Sequence, residues 1–330
     1  MLLPRGPWGR IWLEVSIATL AVLVGIELFW RDQGHTPSVA ANVALWSQQR
    51  DRLQGAGLDT VALVGSSRIQ TGFVPEVFHE QHPDIETVQL ALPGMGGFAT
   101  LRDLAKEESF RGVVLCSMDA RTLRPSKLEG QERFVKTYHS LWGPGEAVNT
   151  ELSLMLQESL VLLRPPLRGE QLVAALWHGH LPRNDYVQTL RHRRWIADYS
   201  GIDLAQLTET RVNKLIDEVE QSPAASEEDW REIVGQLRGF VDEIKARGGR
   251  VAFLRFPISG RIQTLHDQHF PDELYWDVLK DGVDAVVIDS ADMPGVNDLQ
   301  LPDESHLDSL SAERFTRWLA TELVARGVID

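Results

Sequence analysis

Hydrophobic and polar positions divide this chain into one long apolar run near its N-terminus and a series of short apolar runs after it. Short runs with few polar interruptions are typical of parallel strands that are covered on both faces. Segments with the helical spacing of apolar residues separate them. The alternation predicts a doubly wound, three-layer α/β/α fold around a five-stranded parallel sheet. The predicted strands lie at 61–64, 87–92, 112–117, 250–256 and 284–289, and the predicted helices at 39–54, 97–107, 226–247 and 311–326.

Residues 120–225 are too many for a simple connection between the third and fourth strands, so they predict a helical insertion. The insertion contains a basic run from Arg191 to Arg194 and six aromatic residues that can stack on sugars, form the core of the insertion or pack on a membrane partner. The pattern alone does not distinguish these roles, because exposure cannot be read from composition. The aromatic residues are Tyr138, Trp142, Trp177, Tyr186, Trp195 and Tyr199.

The long apolar run, residues 11–30, reads IWLEVSIATLAVLVGIELFW. Its length matches the roughly 20 residues that a helix rising about 1.5 Å per residue needs to cross about 30 Å of hydrocarbon. A cleaved signal peptide would have a shorter apolar core and end at small residues, whereas this run ends in Glu27, Phe29 and Trp30. A buried amphipathic helix is the other alternative, but apolar residues surround the whole helix. We therefore expect an uncleaved transmembrane anchor.

Charges on the two sides of the run predict its orientation. Arg5 and Arg10 precede it, whereas Arg31 after it is offset by Asp32. The positive-inside rule then places the N-terminus in the cytoplasm and the rest of the chain outside. The predicted organisation is a cytoplasmic N-terminus, an anchor, a linker and an extracytoplasmic α/β domain, at 1–10, 11–30, 31–38 and 39–330.

Charge and cysteine content exclude several classes of function. The formal net charge of −14 argues against binding to nucleic acid, which rewards an excess of Lys and Arg. Cys116 is the only cysteine, which excludes an intramolecular disulfide and an iron–sulfur cluster. Two histidine pairs have metal-like spacing, His178-x-His180 and His266-x-x-His269, but neither has the carboxylates or cysteines of a recognised site. We expect neither a metal nor another cofactor.

The residues that follow the predicted strands are the candidates for chemistry, because open parallel sheets bind ligands beyond the carboxyl ends of their strands. The first strand is followed by Gly65-Ser66-Ser67, the second by the glycine-rich turn 93–97, and the third by Met118 and Asp119. Asp303 and His306 precede the last predicted helix. The sequence therefore predicts that a serine, a glycine turn and an Asp-x-x-His pair meet at one edge of the sheet.

These segments resemble the sequence blocks of the SGNH, or GDSL-type, hydrolases. VALVGSSRIQTG is similar to the first block, which implies that Ser67 is the nucleophile. LPDESHL is similar to the final block, which implies that His306 is the base and Asp303 its partner. LALPGMGG is similar to the second block, which implies that the amide of Gly94 joins that of Ser67 in the oxyanion hole. The resemblance covers residues 60–325 and implies a flavodoxin-like fold.

One position departs from the SGNH pattern. The third block usually supplies an asparagine whose side chain donates to the oxyanion, and the corresponding stretch VVLCSMDA has Met118 there. Methionine has no such donor. Either Arg68, Ser117 or a backbone amide substitutes, or the hydrolysis of free esters is weak. Arg68 is equally consistent with an ordinary solvated side chain.

The Gly-Ser-Ser form and the anchor resemble exported SGNH-like proteins that work with membrane-bound O-acyltransferases on cell-envelope polymers, including alginate-acetylation proteins and the DltD group. This resemblance implies a serine acyltransferase or esterase acting on O-acyl groups, such as acetyl, of an extracytoplasmic polysaccharide, with a membrane-bound O-acyltransferase as partner. It also implies that the membrane is the inner membrane of a bacterium. Two alternatives stay open. One is a non-catalytic assembly subunit of such a system, motivated by Met118, and the other is a general hydrolase of small esters or lipids.

Overall fold

The structure is a computed structural model that describes residues 7–167, 169–182 and 185–330. Arg5, which supports the predicted orientation of the anchor, lies outside the described residues. The strands are β1 (Thr60–Val64), β2 (Glu86–Gln89), β3 (Val113–Ser117), β4 (Val187–Thr189), β5 (Trp195–Ala197), β6 (Arg250–Arg255) and β7 (Val286–Asp289). The α-helices are α1 (Trp8–Asp32), α2 (Val43–Asp51), α3 (Ser67–Gly72), α4 (Pro75–Gln81), α5 (Phe98–Lys106), α6 (Pro125–Leu141), α7 (Pro144–Ser159), α8 (Gly169–Trp177), α9 (Leu204–Gln221), α10 (Glu227–Ala246), α11 (Gly260–His269), α12 (Trp276–Gly282) and α13 (Ser309–Ala325).

Five strands form the central sheet, in the order β2-β1-β3-β6-β7, and every pairing in it is parallel. The predicted five-stranded parallel sheet is therefore confirmed. The chain moves from β1 to one edge at β2, then returns past β1 to β3 and continues to the other edge at β7. The order thus reverses between β1 and β3, which is where sheets of this type form a crevice for ligands.

Helices cover both faces of the sheet because successive strand residues point in opposite directions. In β1, Ala62 and Val64 pack in the core formed with α2, α5, α10 and α12, whereas Val61 and Leu63 pack in the core formed with α3, α4 and α13. All four side chains are completely buried. Burial of a Val or Leu side chain contributes about 1.5–3 kcal/mol, so these two cores hold the carboxyl edge of the sheet rigidly.

The segment between β3 and β6 contains the helices α6 to α9 and the antiparallel hairpin β4–β5, followed by α10, which returns the chain to the sheet. The hairpin contacts α3, and α9 contacts α11. Gln70 of α3 donates a hydrogen bond of 2.6 Å to the carbonyl of Arg193 in the hairpin turn. Parts of this segment therefore lie over the carboxyl edge of the sheet, next to the residue that follows β1.

Near the N-terminus, α1 is long and apolar enough to cross a membrane. It has 25 residues. Its most apolar stretch of 18 residues has a mean hydropathy of 2.0, and 6% of that stretch is buried inside the protein. At about 1.5 Å per residue the helix is about 38 Å long, which exceeds the roughly 30 Å of a hydrocarbon core. It contains the predicted span 11–30 and extends it at both ends.

The helix predicted at 39–54 is shorter in the structure. It begins at Val43 because the Asn42 side chain accepts a hydrogen bond of 2.9 Å from the Leu45 amide, which caps the helix. The preceding apolar residues instead belong to an extended segment, in which the amide of Val39 donates to the carbonyl of Thr189 in β4. The N-terminal part of the chain is thus attached to the hairpin.

Candidate active site

Ser67 is the first residue of α3 and follows β1 by two residues, at the reversal of the strand order. Gly65 makes the sharp exit from the strand, with φ of +144°, a region that side-chain-bearing residues rarely adopt. A Cβ atom at Gly65 would lie 2.7 Å from Cβ and 2.8 Å from the carbonyl oxygen of Ser117. Glycine is therefore required on both conformational and steric grounds, and it directs Ser67 to the edge of the sheet.

The three-residue spacing of Asp303 and His306 forms a local turn before α13. Asp303 Oδ1 accepts hydrogen bonds from the backbone amides of Ser305, at 3.0 Å, and of His306, at 2.8 Å. Such turns are a common use of aspartate in loops. The turn brings the Asp303 carboxylate next to the imidazole of the same loop and leaves Asp303 completely buried.

Ser67, His306 and Asp303 form a continuous hydrogen-bonded series. Ser67 Oγ lies 2.8 Å from His306 Nε2, and His306 Nδ1 lies 3.0 Å from Asp303 Oδ2. With the carboxylate ionised, Nδ1 carries the proton and donates to it, so that Nε2 presents its lone pair to the Ser67 hydroxyl. This is the relation of nucleophile, base and orienting acid in a serine triad. The structure thus brings together the three residues that the sequence singled out.

The electrostatic surroundings favour the neutral base and the ionised acid. Burial lowers the pKa of His306, and Arg211 and Arg68 lower it further, against the opposing effect of Asp303. For Asp303, burial alone would raise the pKa, but the hydrogen bond from His306 and the charges of His306 and Arg211 outweigh it and lower the pKa. His306 is consequently an unprotonated acceptor at neutral pH.

Two backbone amides beside Ser67 are available to an oxyanion. Within the described ranges, the amides of Ser67 and Gly94 donate to no protein acceptor. Gly94 has φ of +71°, and a Cβ atom there would meet nothing within 4 Å, so there is open space beside its Cα atom. Ser67 and Gly94 line the same cavity, which supports the predicted pairing of their amides at one site.

The cavity that contains the triad has a volume of about 300 Å³. Although the whole chain has a formal charge of −14, the lining of this cavity is basic. It contains four Arg or Lys residues and one acidic residue, Glu218. The aromatic side chains of Tyr186 and Trp195, which belong to the insertion, form part of the cavity wall. Its lining residues are Ser67, Arg68, Pro93, Gly94, Arg121, Tyr186, Trp195, Arg211, Lys214, Leu215, Glu218, Ile262, His266, Ser305 and His306.

Arg68 is held in a buried ion pair and is not the solvated side chain that the sequence left open. Its Nη1 donates to Asp119 Oδ2 at 2.7 Å, and both side chains are 9% exposed. His266 Nε2 lies 3.3 Å from the other oxygen of Asp119. Burial alone would raise the pKa of Asp119, but Arg68, His266 and Arg121 together hold it well below its ordinary value. Arg68 is thereby fixed at the wall of the cavity.

Ser117 and Met118 belong to the stretch that resembles the third block, and neither lines the cavity that contains Ser67. Ser117 ends β3 and is buried against Gly65, and it does not line the cavity of the triad. Met118 is 2% exposed and contributes to the lining of a neighbouring cavity. Neither side chain therefore contributes to the cavity of the triad, and the candidate oxyanion donors in its lining are the amides of Ser67 and Gly94 and the side chain of Arg68.

The neighbouring cavity has a volume of about 520 Å³ and lies over the carboxyl ends of β3, β6 and β7. Arg68 and His266 line both cavities and separate them. Arg255 projects into the larger one, where it pairs with Asp272 and Asp289 and stacks 4.7 Å from the ring centre of Trp276. The larger cavity contains no member of the triad, so the smaller one is the candidate site.

Two residues of the triad's surroundings were not foreseen from the sequence. Tyr199 donates a hydrogen bond of 3.2 Å to Asp303 Oδ2, and Arg211 Nε lies 2.8 Å from the same oxygen, in an ion pair rather than an aligned hydrogen bond. Arg211 also donates to the hydroxyl of Tyr186 at 2.7 Å. Both residues belong to the segment between β3 and β6, about 100 residues before Asp303. The insertion thus supplies part of the triad's support.

The histidine pairs with metal-like spacing do not form a cluster of three ligands. In the parts of the chain that the structure describes, no group of three His, Cys, Asp or Glu side chains is placed to hold a metal ion. His178 and His180 are exposed beyond the end of α8, and His266 pairs with Asp119.

No protein-family model matches this chain, and comparison with curated proteins likewise finds no match.

Proposed function

We propose that this chain is a membrane-anchored SGNH-type serine acyltransferase or esterase that acts outside the cytoplasm on O-acyl groups of a cell-envelope or exported polysaccharide. The observation that carries the proposal is the series from Ser67 Oγ through the His306 imidazole to the Asp303 carboxylate. The strand order, with Ser67 at its reversal, supports the flavodoxin-like SGNH assignment.

The reaction follows from this geometry. Ser67 Oγ attacks the carbonyl carbon of an O-acyl ester while its proton moves to His306 Nε2. The amides of Ser67 and Gly94 donate to the developing oxyanion, an interaction in which one donor is typically worth about 3 kcal/mol. The C–O bond to the leaving alcohol then breaks, and His306 returns the proton to that oxygen. A second hydroxyl group, or water, then attacks the acyl carbon while its proton moves to His306 Nε2. The bond between that carbon and Ser67 Oγ breaks, and the proton passes to Oγ, which completes transfer to the hydroxyl group or hydrolysis by water.

The lining of the cavity supports a sugar substrate. Tyr186 and Trp195 provide ring surfaces, which pack against the apolar C–H faces of sugars, and the basic side chains provide donors for hydroxyl and carboxyl oxygens. The apolar helix α1 supports attachment to a membrane, with the candidate site on the extracytoplasmic side as the charge pattern of the sequence predicts.

One observation favours a second candidate function, a non-catalytic assembly subunit of a membrane-bound O-acyltransferase system. Met118 stands where the SGNH pattern has an oxyanion-binding asparagine, and its side chain lines the other cavity. Loss of a donor worth about 3 kcal/mol would weaken hydrolysis by roughly a hundredfold. An acyl acceptor or a partner that supplies the donor would restore transfer, so we retain the catalytic proposal.

The test compares the ester content of the polysaccharide in cells that produce the parent protein or the Ser67→Ala variant. We expect the variant to change the O-acyl content as strongly as deletion of the gene. Ser66→Ala is the matched control, because Ser66 is buried next to it and its side chain makes no capping hydrogen bond. Unchanged ester content with Ser67→Ala, together with loss of function when residues 11–30 are replaced, would instead establish the assembly subunit. Turnover of small esters by the purified chain, without an effect on the polymer, would indicate a general esterase.

A further inference from the structure

The end of α1 is clamped to the segment that follows α7. Glu27 Oε1 accepts a hydrogen bond of 2.9 Å from the amide of Val161, and Glu27 Oε2 accepts one of 3.0 Å from the amide of Leu162. Arg31 donates to the carbonyl of Ser159 at 2.8 Å. Glu27 and Arg31 are about one helical turn apart, so the clamp fixes residues 159–162 at the level where the apolar span ends.

Helix α8 packs against the same end of α1 through a small apolar cluster. Trp30 is 5% exposed and packs in a small apolar cluster with Val161 and Leu167, and Leu172 of α8 packs against that cluster. Trp30 is the last apolar residue of the span. The inner side of α8 therefore lies at the depth of the final turn of α1.

The outer side of α8 is apolar and exposed. Within its nine residues none is buried, and Val173, Leu176 and Trp177 are 63%, 53% and 86% exposed. At about 100° per residue, these three occupy one arc of about 100°, with Leu172 at the edge of the arc that turns to the cluster and Gln171 on the opposite side. A soluble helix with this arrangement would expose to water the residues that normally form its buried stripe.

The exposed apolar residues of the domain are concentrated around this position. Outside α1, nine of the fourteen exposed large hydrophobic side chains that the structure describes lie between residues 141 and 181. Scattered exposed residues are normal, but a contiguous patch indicates a protein or membrane partner. The segment that carries these residues is joined to α1, because α1 and α7 both contact Val161–Leu163. This continuity favours lipid as the occupant.

We propose that α8 lies in the membrane interface, with Val173, Leu176 and Trp177 inserted among the lipids beside the end of α1. Tryptophan is enriched at this depth because its ring suits the boundary between hydrocarbon and headgroups. Short apolar helices bind such surfaces through buried apolar area. Glu170 is the single charged residue of α8, so the contact does not depend on anionic lipid. Together with the clamp at Glu27, α8 fixes the orientation of the domain relative to the membrane.

The experiment reconstitutes the full chain in phosphatidylcholine vesicles after an environment-sensitive fluorophore has been attached to a single introduced cysteine. The sites are Val173→Cys and Trp177→Cys. The controls are Gln171→Cys on the opposite side of α8 and Leu310→Cys, which is 73% exposed on α13. The parent chain shows whether Cys116 reacts; it is completely buried, and burial raises the pKa of its thiol to about 12.

We expect fluorophores at positions 173 and 177 to lose most of their emission to a quencher attached to the lipid chains and little to aqueous iodide. Positions 171 and 310 should show the reverse. Adding phosphatidylglycerol should leave the pattern unchanged. Quenching of 173 and 177 by iodide to the extent seen at 310 would overturn the proposal. Protection of 173 and 177 from both quenchers would also overturn it, because the patch would then be covered by protein.

Discussion

Arg211 is predicted to tune the base of the triad through its charge. Its Nε atom and His306 Nδ1 contact the same oxygen of Asp303, at 2.8 and 3.0 Å, so the two nitrogen atoms lie within about 6 Å of each other. Arg211 thereby disfavours the protonated form of His306 and contributes to its lowered pKa. Replacement of Arg211 by Met removes this repulsion, and the pKa of His306 rises.

The size of the effect follows from the separation and the exposure. Two unit charges about 6 Å apart interact by about 3 kcal/mol at an effective dielectric constant of about 20, and by about 0.7 kcal/mol in water. Arg211 is 27% exposed and His306 7%, so the interaction lies between these values. The acid limb of the pH–rate profile is the low-pH range in which protonation of His306 lowers the rate. Since 1.36 kcal/mol corresponds to one pKa unit, we expect this limb to move to higher pH by about one unit.

The assay is the rate at which a fluorophosphonate labels Ser67, measured across the acidic and neutral range. The base must be unprotonated, so the parent rate falls only when the pH drops below the lowered pKa of His306. Arg211→Met should lose its rate at higher pH than the parent, whereas Arg211→Lys keeps the charge and should resemble the parent. An acid limb of Arg211→Met that coincides with the parent, or moves to lower pH, would refute this account of Arg211.

Asp303→Asn should lower the labelling rate by about 10⁴-fold, because an amide cannot hold His306 in the tautomer that accepts the Ser67 proton; a loss of less than tenfold would contradict this role. Arg68→Met removes the nearest partner of the buried Asp119, so the free energy of unfolding should fall by up to roughly 3–5 kcal/mol in denaturant titrations, with Arg121 and His266 retaining part of the pairing. Removal of an exposed ion pair, Arg231→Met, should cost less than about 1 kcal/mol. Gly94→Ala forces a side chain into a backbone conformation with φ of +71°, at about 1–2 kcal/mol. The fold should survive, since the new Cβ meets open space, and labelling should slow because the amide moves; an unchanged rate would exclude this amide from the oxyanion hole.

The sheet could be predicted because its three inner strands, β1, β3 and β6, each contain four or five consecutive buried residues, a pattern that is visible in the sequence. The edge strands β2 and β7 are only partly buried. The ends of the runs were less predictable. The run 87–92 gives a strand that ends at Gln89, although the amides of Leu90 and Leu92 still donate to carbonyls of Leu63 and Gly65. Apolar character continues there because the connection itself is buried, so it does not mark the end of the strand.

The triad could be predicted because each member lies in a short block next to a strand or helix end, and parallel strands bring their carboxyl ends together. The contacts of Tyr199 and Arg211 with Asp303 could not. They join residues about 100 positions apart, between an irregular insertion and a loop, and a single sequence has no local pattern that specifies such pairs. The burial of the Arg68–Asp119 pair escaped prediction for a related reason, since either residue alone is typical of a solvated surface.

The most direct test of the central claim is fluorophosphonate labelling of the purified full chain, with the adduct located by mass spectrometry. The account predicts one adduct at Ser67 that disappears in Ser67→Ala, falls by several orders of magnitude in His306→Ala, and persists in Ser66→Ala. A folded chain that acquires no adduct at Ser67, or one that reacts equally well without His306, would contradict the claim that these residues form an activated nucleophile.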